Sequence, residues 1–130
     1  MKATSVTSVK PIKHTSSPDC RHVRELLARI GAKWSMIVVT RLATGPMRFS
    51  ELKRDIGTIS QKMLTSTLRE LERDGFVTRT VTPTIPPRVD YTLTDLGVDL
   101  LGPLEALGEW AVRNQHRVEQ ARERAREVGV

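Results

Sequence analysis

A pair of short helices separated by a tight turn is predicted around the middle of the chain. It constrains the fold more than any other part of the sequence. Phe49, Leu52 and Ile56 are spaced three and then four residues apart, as on one face of a helix of about two turns. Gly57-Thr58 breaks this helix before a second one begins. Two short helices joined by a glycine-containing turn form the helix-turn-helix pattern.

The second helix of the pair is predicted to run from Gln61 to about Asp74, where Gly75 ends it. Ser60 precedes this helix, and its hydroxyl can accept a hydrogen bond from a backbone N–H of the first turn. At about 100° per residue, leucines fall on one side of the helix and polar residues on the other. The polar side consists of Gln61, Lys62, Thr65, Ser66, Arg69 and Arg73.

The hydrophobic period changes after Gly75. Phe76 to Thr82 and Arg88 to Leu93 are rich in valine, threonine and aromatic residues, which favours two strands. Pro83 to Pro87 forms a stiff, proline-rich loop between them. A hairpin directly after a helix-turn-helix is the layout of a winged helix. We therefore predict a mainly α fold with a small β-hairpin (α+β).

The segment from Lys33 to Thr44 fits two structures. Its β-branched run around Val38 is typical of a buried strand. However, Trp34, Ile37, Val38 and Leu42 have helical spacing, and the following Gly45-Pro46 is a helix-stop signal. We interpret the segment as a buried helix. A shorter helix before it carries one apolar stripe, formed by Val23, Leu26, Leu27 and Ile30.

A last helical region is predicted after Thr94, which can cap it. Pro103 lies inside this region and lacks the N–H that would bond to Asp99, so we expect a kink or a restart there. The region needs a partner to pack on, because its apolar stripe is long for such a small domain. The stripe consists of Leu100, Leu101, Leu104, Leu107, Trp110, Ala111, Val118, Ala121, Ala125 and Val128.

Composition excludes several classes of protein. A length of 130 residues suits one domain, and a single cysteine cannot form an internal disulfide. No apolar run approaches the ~20 residues of a membrane span, and the N-terminus lacks the apolar region of a signal peptide. We therefore expect a cytoplasmic protein. Lysine and arginine total 21 against 15 acidic residues, and this surplus favours a polyanionic partner, most simply nucleic acid.

Basic and hydroxyl residues around the second helix predict contacts with double-stranded DNA. In a helix-turn-helix the exposed face of that helix enters the major groove, where Arg and Lys read guanine and Gln reads adenine. Lys33 and Arg48 lie near helix N-termini, which favour phosphate, and Arg88 ends the loop that can reach a minor groove. A solvated helix face also carries such residues, so each one alone is compatible with a solubility role. The candidates are Lys33, Arg48, Ser60, Gln61, Lys62, Thr65, Ser66, Arg69 and Arg88.

Catalytic and metal-binding motifs are not found in the sequence. His14, His22 and His116 do not follow the spacing of metal ligands, and Gly-rich phosphate loops and nucleophile elbows are missing. We therefore expect no enzyme, no cofactor and no metal. The main alternative to a DNA-binding protein is a winged helix used as a protein-interaction module without specific DNA readout. Such a module would more often display apolar or acidic residues on the second helix.

Several motifs occur in the order and at the gaps found in the HxlR family of bacterial winged helix-turn-helix regulators, which the sequence resembles from about Cys20 to Arg113. They are Ile30-Gly31-Ala32-Lys33-Trp34, Gly45-Pro46-Met47-Arg48-Phe49-Ser50-Glu51-Leu52, Ile59-Ser60-Gln61-Lys62-Met63-Leu64-Thr65, Leu68-Arg69-Glu70-Leu71-Glu72-Arg73-Asp74-Gly75, Pro86-Pro87-Arg88-Val89-Asp90-Tyr91 and Thr94-Asp95-Leu96-Gly97, with Trp110. The chain departs from the family at Cys20-Arg21, where Cys-Pro is frequent, and at Gly31-Ala32, where Gly-Gly is frequent. Its tail is also longer than usual.

The resemblance implies a homodimeric, sequence-specific transcription factor whose dimer contacts come from the first helix and the C-terminal helical region. It places Ser60 to Arg69 on the recognition helix and Arg88 on the wing. We expect a disordered basic arm at 1–19, a winged helix-turn-helix domain with dimerisation helices at 20–114, and a helical extension at 115–130.

Cys20 has two interpretations. Some members of the family sense oxidants or electrophiles through the cysteine that aligns with it, and nearby arginines favour a thiolate. Alternatively, it is a small buried residue at the start of a helix. The sequence does not reveal the effector, the operator, or whether the protein represses or activates.

Overall fold

A computed structural model describes residues 18–129, which contain five helices and three strands. The described residues up to Ala32 form one compact unit and those from Lys33 onward form a second. Of the arm expected at 1–19, residues 1–17 lie outside the described residues, whereas Pro18 and Asp19 belong to the first helix, so the expected end of the arm is two residues too late. The elements are α1 (Pro18–Ile30), α2 (Lys33–Leu42), β1 (Met47–Arg48), α3 (Phe49–Ile56), α4 (Gln61–Arg73), β2 (Val77–Thr82), β3 (Arg88–Leu93) and α5 (Asp95–Glu127).

The first unit is the helix α1, which begins two residues before Cys20. Its end is closed by the backbone N–H of Gly31, which donates to the carbonyl oxygen of Leu27 at 2.8 Å. Val23, Leu26 and Leu27 remain 37–50% exposed. The predicted stripe is therefore present as an exposed apolar face of α1.

The sheet of the second unit is antiparallel with the strand order β1-β3-β2. The hairpin register runs from Val77 opposite Leu93 to Thr82 opposite Arg88. The strand β1 was not expected from the sequence, because two residues after a proline carry no strand signal. It pairs Met47 with Tyr91, which makes β3 the central strand of the sheet.

The core lies between α2, α3, α4 and the sheet, with Leu104 of α5 closing one end. The buried-helix interpretation of Lys33–Thr44 is confirmed, although its buried face is rotated from the predicted stripe. Trp34 and Ile37 are half-buried, whereas Ser35 and Val39 are buried. The buried apolar residues are Val38, Val39, Leu42, Leu52, Ile59, Leu64, Leu68, Leu71, Phe76, Val77 and Leu104.

Thr94 links the end of α4 to the start of α5. Its hydroxyl donates to the carbonyl oxygen of Gly75 at 2.6 Å and accepts from the backbone N–H of Gly97 at 3.1 Å. Its own N–H donates to the carbonyl oxygen of Phe76 at 3.0 Å. The predicted cap is thus confirmed, and it also fixes where α5 leaves the domain.

The long helix α5 does not restart at Pro103, so that part of the expectation is wrong. It runs without interruption from Asp95 to Glu127. Proline removes the hydrogen bond to the carbonyl of Asp99, but both residues are exposed and water can solvate that oxygen. Among residues 18–129, no helix combines the length and the apolarity that a bilayer span requires.

Gly97 lies so close to the chain at Phe76 that a Cβ atom there would collide with the backbone carbonyl oxygen of Phe76. We expect Gly97→Ala to lower the free energy of unfolding by about 2–3 kcal/mol, since the backbone must shift to admit a methyl group. Gly108→Ala is the matched control, because nothing lies within 4 Å of its Cβ position on the same helix. The control should raise stability by roughly 0.5–1 kcal/mol through helix propensity. Urea unfolding of both variants checks this, and equal effects would contradict the close approach.

Candidate nucleic-acid interface

The helix α4 is positioned by caps that the sequence specifies locally. The hydroxyl of Ser60 accepts from the backbone N–H of Met63 at 3.0 Å, as predicted. The turn before it places Gly57 at a φ of 83°, where a side chain would be strained. On the preceding helix, the N–H of Arg48 donates to the carboxylate of Glu51 at 2.7 Å. Both helices of the pair therefore begin at defined residues.

The inner side of α4 fixes the direction of its outer side. Leu64, Leu68 and Leu71 are at most 3% exposed, and Thr67 is buried beside them. This side packs against α2, β2 and the core. The residues opposite to it must therefore face away from the domain.

The outer face of α4 forms a shallow concavity of about 720 Å³. It brings together five of the candidate residues and adds Glu70 and Arg73. The hydroxyl of Thr65 donates to the carbonyl oxygen of Gln61 at 2.9 Å, so its oxygen keeps only acceptor capacity. The lining residues are Gln61, Lys62, Thr65, Ser66, Arg69, Glu70 and Arg73.

Cations on this outer face are not neutralised by neighbours. Lys62, Arg69 and Arg73 form no ion pair within the described residues, and Glu70 is the only acid on the face. By contrast, Arg41 pairs with Asp55 at 2.8 Å and thereby ties α2 to the end of α3. The outer face of α4 therefore presents three cations against one carboxylate.

A second concavity, of about 640 Å³, lies between the start of α3 and the tip of the hairpin. Arg48 and Arg88 both line it. The Nε of Arg88 donates to the carboxylate of Asp90 at 3.1 Å, which holds the side chain beside the hairpin. At the tip, the hydroxyl of Thr84 donates to the carbonyl oxygen of Pro86 at 2.8 Å, and Ile85 is fully exposed.

Lys33 lies apart from both concavities. Its Nζ is 4.5 Å from the centre of the Trp34 ring, a cation–π geometry at the start of α2. It lines neither surface. The structure therefore groups five candidates on the outer face of α4, brings Arg48 and Arg88 together on another surface, uses Ser60 as the cap of α4 and leaves Lys33 separate.

Sequence reasoning did not find Arg79. Strand alternation places it on the sheet face that also carries Val77, and the register sets it directly opposite Tyr91. The available signal was an arginine in the strand pattern two residues after Val77, on the same face, where it remains exposed. No group of three metal-ligating side chains occurs in the part of the chain that the structure describes.

The family model of the HxlR-like helix-turn-helix matches residues 29–119. The chain belongs to this family. An uncharacterized HTH-type transcriptional regulator of Halalkalibacterium halodurans is 53% identical over 91 residues, which cover 69% of this chain and 80% of that protein. HxlR-like proteins of this kind are transcriptional regulators, so the chain is a regulator of transcription and not an enzyme.

Two solved structures of redox-related regulators are similar to this HxlR-like chain. The redox regulator HypR in its reduced form superposes with a TM-score of 0.71 at 39% identity, covering 76% of this chain and 98% of that one. Diamide-treated YodB from B. subtilis gives a TM-score of 0.63 at 35% identity, covering 77% and 96%. These neighbours confirm the winged-helix fold. Cys20 precedes the segment that the family model matches.

Proposed function

We propose that the chain is a sequence-specific DNA-binding transcriptional regulator that acts as a homodimer on an inverted-repeat operator. One observation carries the proposal. The outer face of α4 presents Gln61, Lys62 and Arg69 away from the domain, while its inner face is buried. A helix held in this way fits the major groove, and its cations attract the phosphates on either side.

The second concavity supports the proposal with a separate contact. Arg48 precedes the first turn of α3, and a phosphate is favoured at this position because the first N–H groups of a helix attract anions. Arg88 keeps its terminal nitrogens for a minor groove while its Nε is held by Asp90. Together, α4 and the hairpin span a major groove and the adjacent minor groove.

The alternative of a protein-interaction module is disfavoured by the same surface. Large apolar side chains are what such a module buries in the centre of an interface. The outer face of α4 has none, and Met63 lies at its edge. This face has seven polar residues, three of which are cations without an ion-pair partner among the described residues, and such a surface suits a polyanion better.

The first prediction from the proposed function separates base readout from phosphate attraction. Arg69→Ala should cost roughly 1–3 kcal/mol of discrimination at one base pair per half-site if its contact with guanine is bidentate. Arg48→Ala should instead weaken binding to all duplexes alike and flatten the slope of log affinity against log salt. Fluorescence anisotropy with a selected duplex and a random duplex, over a range of salt concentrations, measures both effects.

Arg113→Ala is the matched control for these variants, because Arg113 is an exposed arginine on α5 far from α4 in sequence. It should bind both duplexes as the wild type does. Equal losses on both duplexes for Arg69→Ala would contradict base readout. A wild type without a salt-dependent affinity for duplex DNA would favour the interaction module.

Homodimerisation is supported by the exposed stripe on α5. Between Leu104 and Val128, eight residues follow each other at alternating intervals of three and four positions, as in a helix that packs on a partner. They are Leu104, Leu107, Ala111, Asn114, Val118, Ala121, Ala125 and Val128. Leu107 and Trp110 are each 52% exposed. Beyond Asn114, arginines lie on both sides of this stripe, so a second copy packed on it would bring like charges together there. We therefore assign the dimer contact to the leucine-rich part of α5, together with α1.

The second prediction concerns this stripe. Leu107→Glu should raise the dimer dissociation constant by about 100-fold or more, because each copy would bury an unpaired carboxylate. Val112→Glu is the control, since Val112 is 68% exposed and lies on another side of the helix. Sedimentation equilibrium at micromolar concentration measures the constants. A monomeric wild type, or two variants that both remain dimeric, would contradict the assignment.

A redox response through Cys20 is a second proposal, favoured by the likeness to the redox regulator HypR and to diamide-treated YodB. Cys20 is half-buried near the start of α1. With one cysteine per chain, its oxidation products are an intersubunit disulfide or a mixed disulfide with a small thiol. In the first case diamide accepts the two hydrogens that two Cys20 thiols lose when they form the S–S bond. The Cα atoms must then approach within about 7 Å.

The third prediction follows. Mild diamide treatment should lower the operator affinity of the wild type and leave that of Cys20→Ser unchanged. Anisotropy before and after treatment measures the affinity, and non-reducing electrophoresis with mass spectrometry distinguishes the two products. An unaffected wild type, or an equal loss in the serine variant, would make Cys20 a structural residue.

A further inference from the structure

The cleft between α4 and the hairpin differs from the other concavities in its lining. It has a volume of about 360 Å³ and lies behind the outer face of α4. Two guanidinium groups, two hydroxyls, one carboxylate and a buried leucine line it. These residues are Thr65, Leu68, Arg69, Glu72, Arg79 and Tyr91.

Arg79 is the unexpected member of this set. Successive side chains of a strand alternate between faces, so Arg79 lies on the same sheet face as Val77, but Arg79 is exposed whereas Val77 is buried. Its cross-strand neighbour is Tyr91, which is half-buried. Arg79 therefore lies at the exposed part of this sheet face, where it lines the cleft beside α4.

Neither guanidinium is neutralised in the cleft. Arg69 and Arg79 form no ion pair or hydrogen bond with other residues in the range 18–129, although Glu72 lines the same cleft. The hydroxyl proton of Thr65 is already donated to the carbonyl oxygen of Gln61. The donors left for a ligand are therefore two guanidinium groups and the hydroxyl of Tyr91.

We propose that this cleft binds a small organic monocarboxylate that regulates DNA binding. Two arginines and one glutamate leave a single positive charge, which a monoanion neutralises and a dianion over-compensates. Guanidinium groups match the fork of a carboxylate. Leu68 and the ring of Tyr91 offer apolar contact to the body of the ligand. The volume is at the low end of ligand pockets, about 300–1,000 Å³, which sets the ligand size near that of a single ring.

Regulation follows from two shared residues and rests on the proposed function. Arg69 and Thr65 line both this cleft and the outer face of α4. A carboxylate held by Arg69 and Arg79 draws the Arg69 side chain towards the hairpin and away from the major groove. Binding of the ligand and of DNA then oppose each other, and by linkage each weakens the other by the same factor.

The test uses the full chain with benzoate, a carboxylate on a planar apolar body. Benzamide serves as the neutral analogue and inorganic phosphate as the anion without such a body. Isothermal titration calorimetry should show one benzoate per chain at millimolar concentration, weaker phosphate binding and no benzamide binding. Arg79→Gln should weaken benzoate binding at least tenfold, and Glu72→Gln should strengthen it several-fold, whereas Arg113→Gln should leave it unchanged. Circular dichroism confirms that each variant is folded.

In the DNA arm, saturating benzoate should lower duplex affinity about tenfold for the wild type and leave Arg79→Gln unaffected. Calorimetry needs no DNA, so absent DNA binding would refute the proposed function while leaving the cleft test intact. Benzoate binding that Arg79→Gln does not change, or absent binding, overturns the site. In that case the exposed Arg79 only guards the edge strand β2 against pairing with another sheet. Tighter binding of phosphate than of benzoate overturns the ligand class.

Discussion

The burial of one side of α4 is the constraint on which the rest of the structure depends. Leu64, Leu68 and Leu71 together exclude water from the contact with α2 and the sheet. Each fully buried leucine contributes about 1.5–3 kcal/mol. Because the helix cannot rotate without exposing them, the direction of the opposite face is settled by the core. The Ser60 cap then sets where that face begins along the helix axis.

The charged side chains follow this division of α4 into a buried and an exposed side. Arginines that pair, such as Arg41 with Asp55, hold elements of the domain together. Those on the outer face of α4 have no such partner among the described residues, so their charge is available to a ligand. Arg69 lies where the outer face and the cleft meet. A single side chain can therefore link the DNA contact that we propose to a regulatory ligand.

Local signals made most of the domain predictable from the sequence. The caps at Ser60 and Thr94, the helical spacing of Phe49, Leu52 and Ile56, and the change of period after Gly75 each act over a few residues. The features that sequence reasoning missed are non-local. The strand β1 exists only because β3 offers a free edge to Met47, and the place of Arg79 depends on its register with Tyr91. Pro103 does not restart the helix, because the penalty for a lost hydrogen bond depends on solvent access, which the sequence does not give.

The central claim is that the outer face of α4 lies in the major groove, and methylation interference on a duplex selected in vitro tests it most directly. Dimethyl sulfate marks guanine N7 in the major groove and adenine N3 in the minor groove. We expect two clusters of guanine-N7 interference, centred about one helical turn apart, with adenine-N3 interference where the hairpins reach the minor groove. Interference confined to adenine N3, or a single cluster without symmetry, would contradict it.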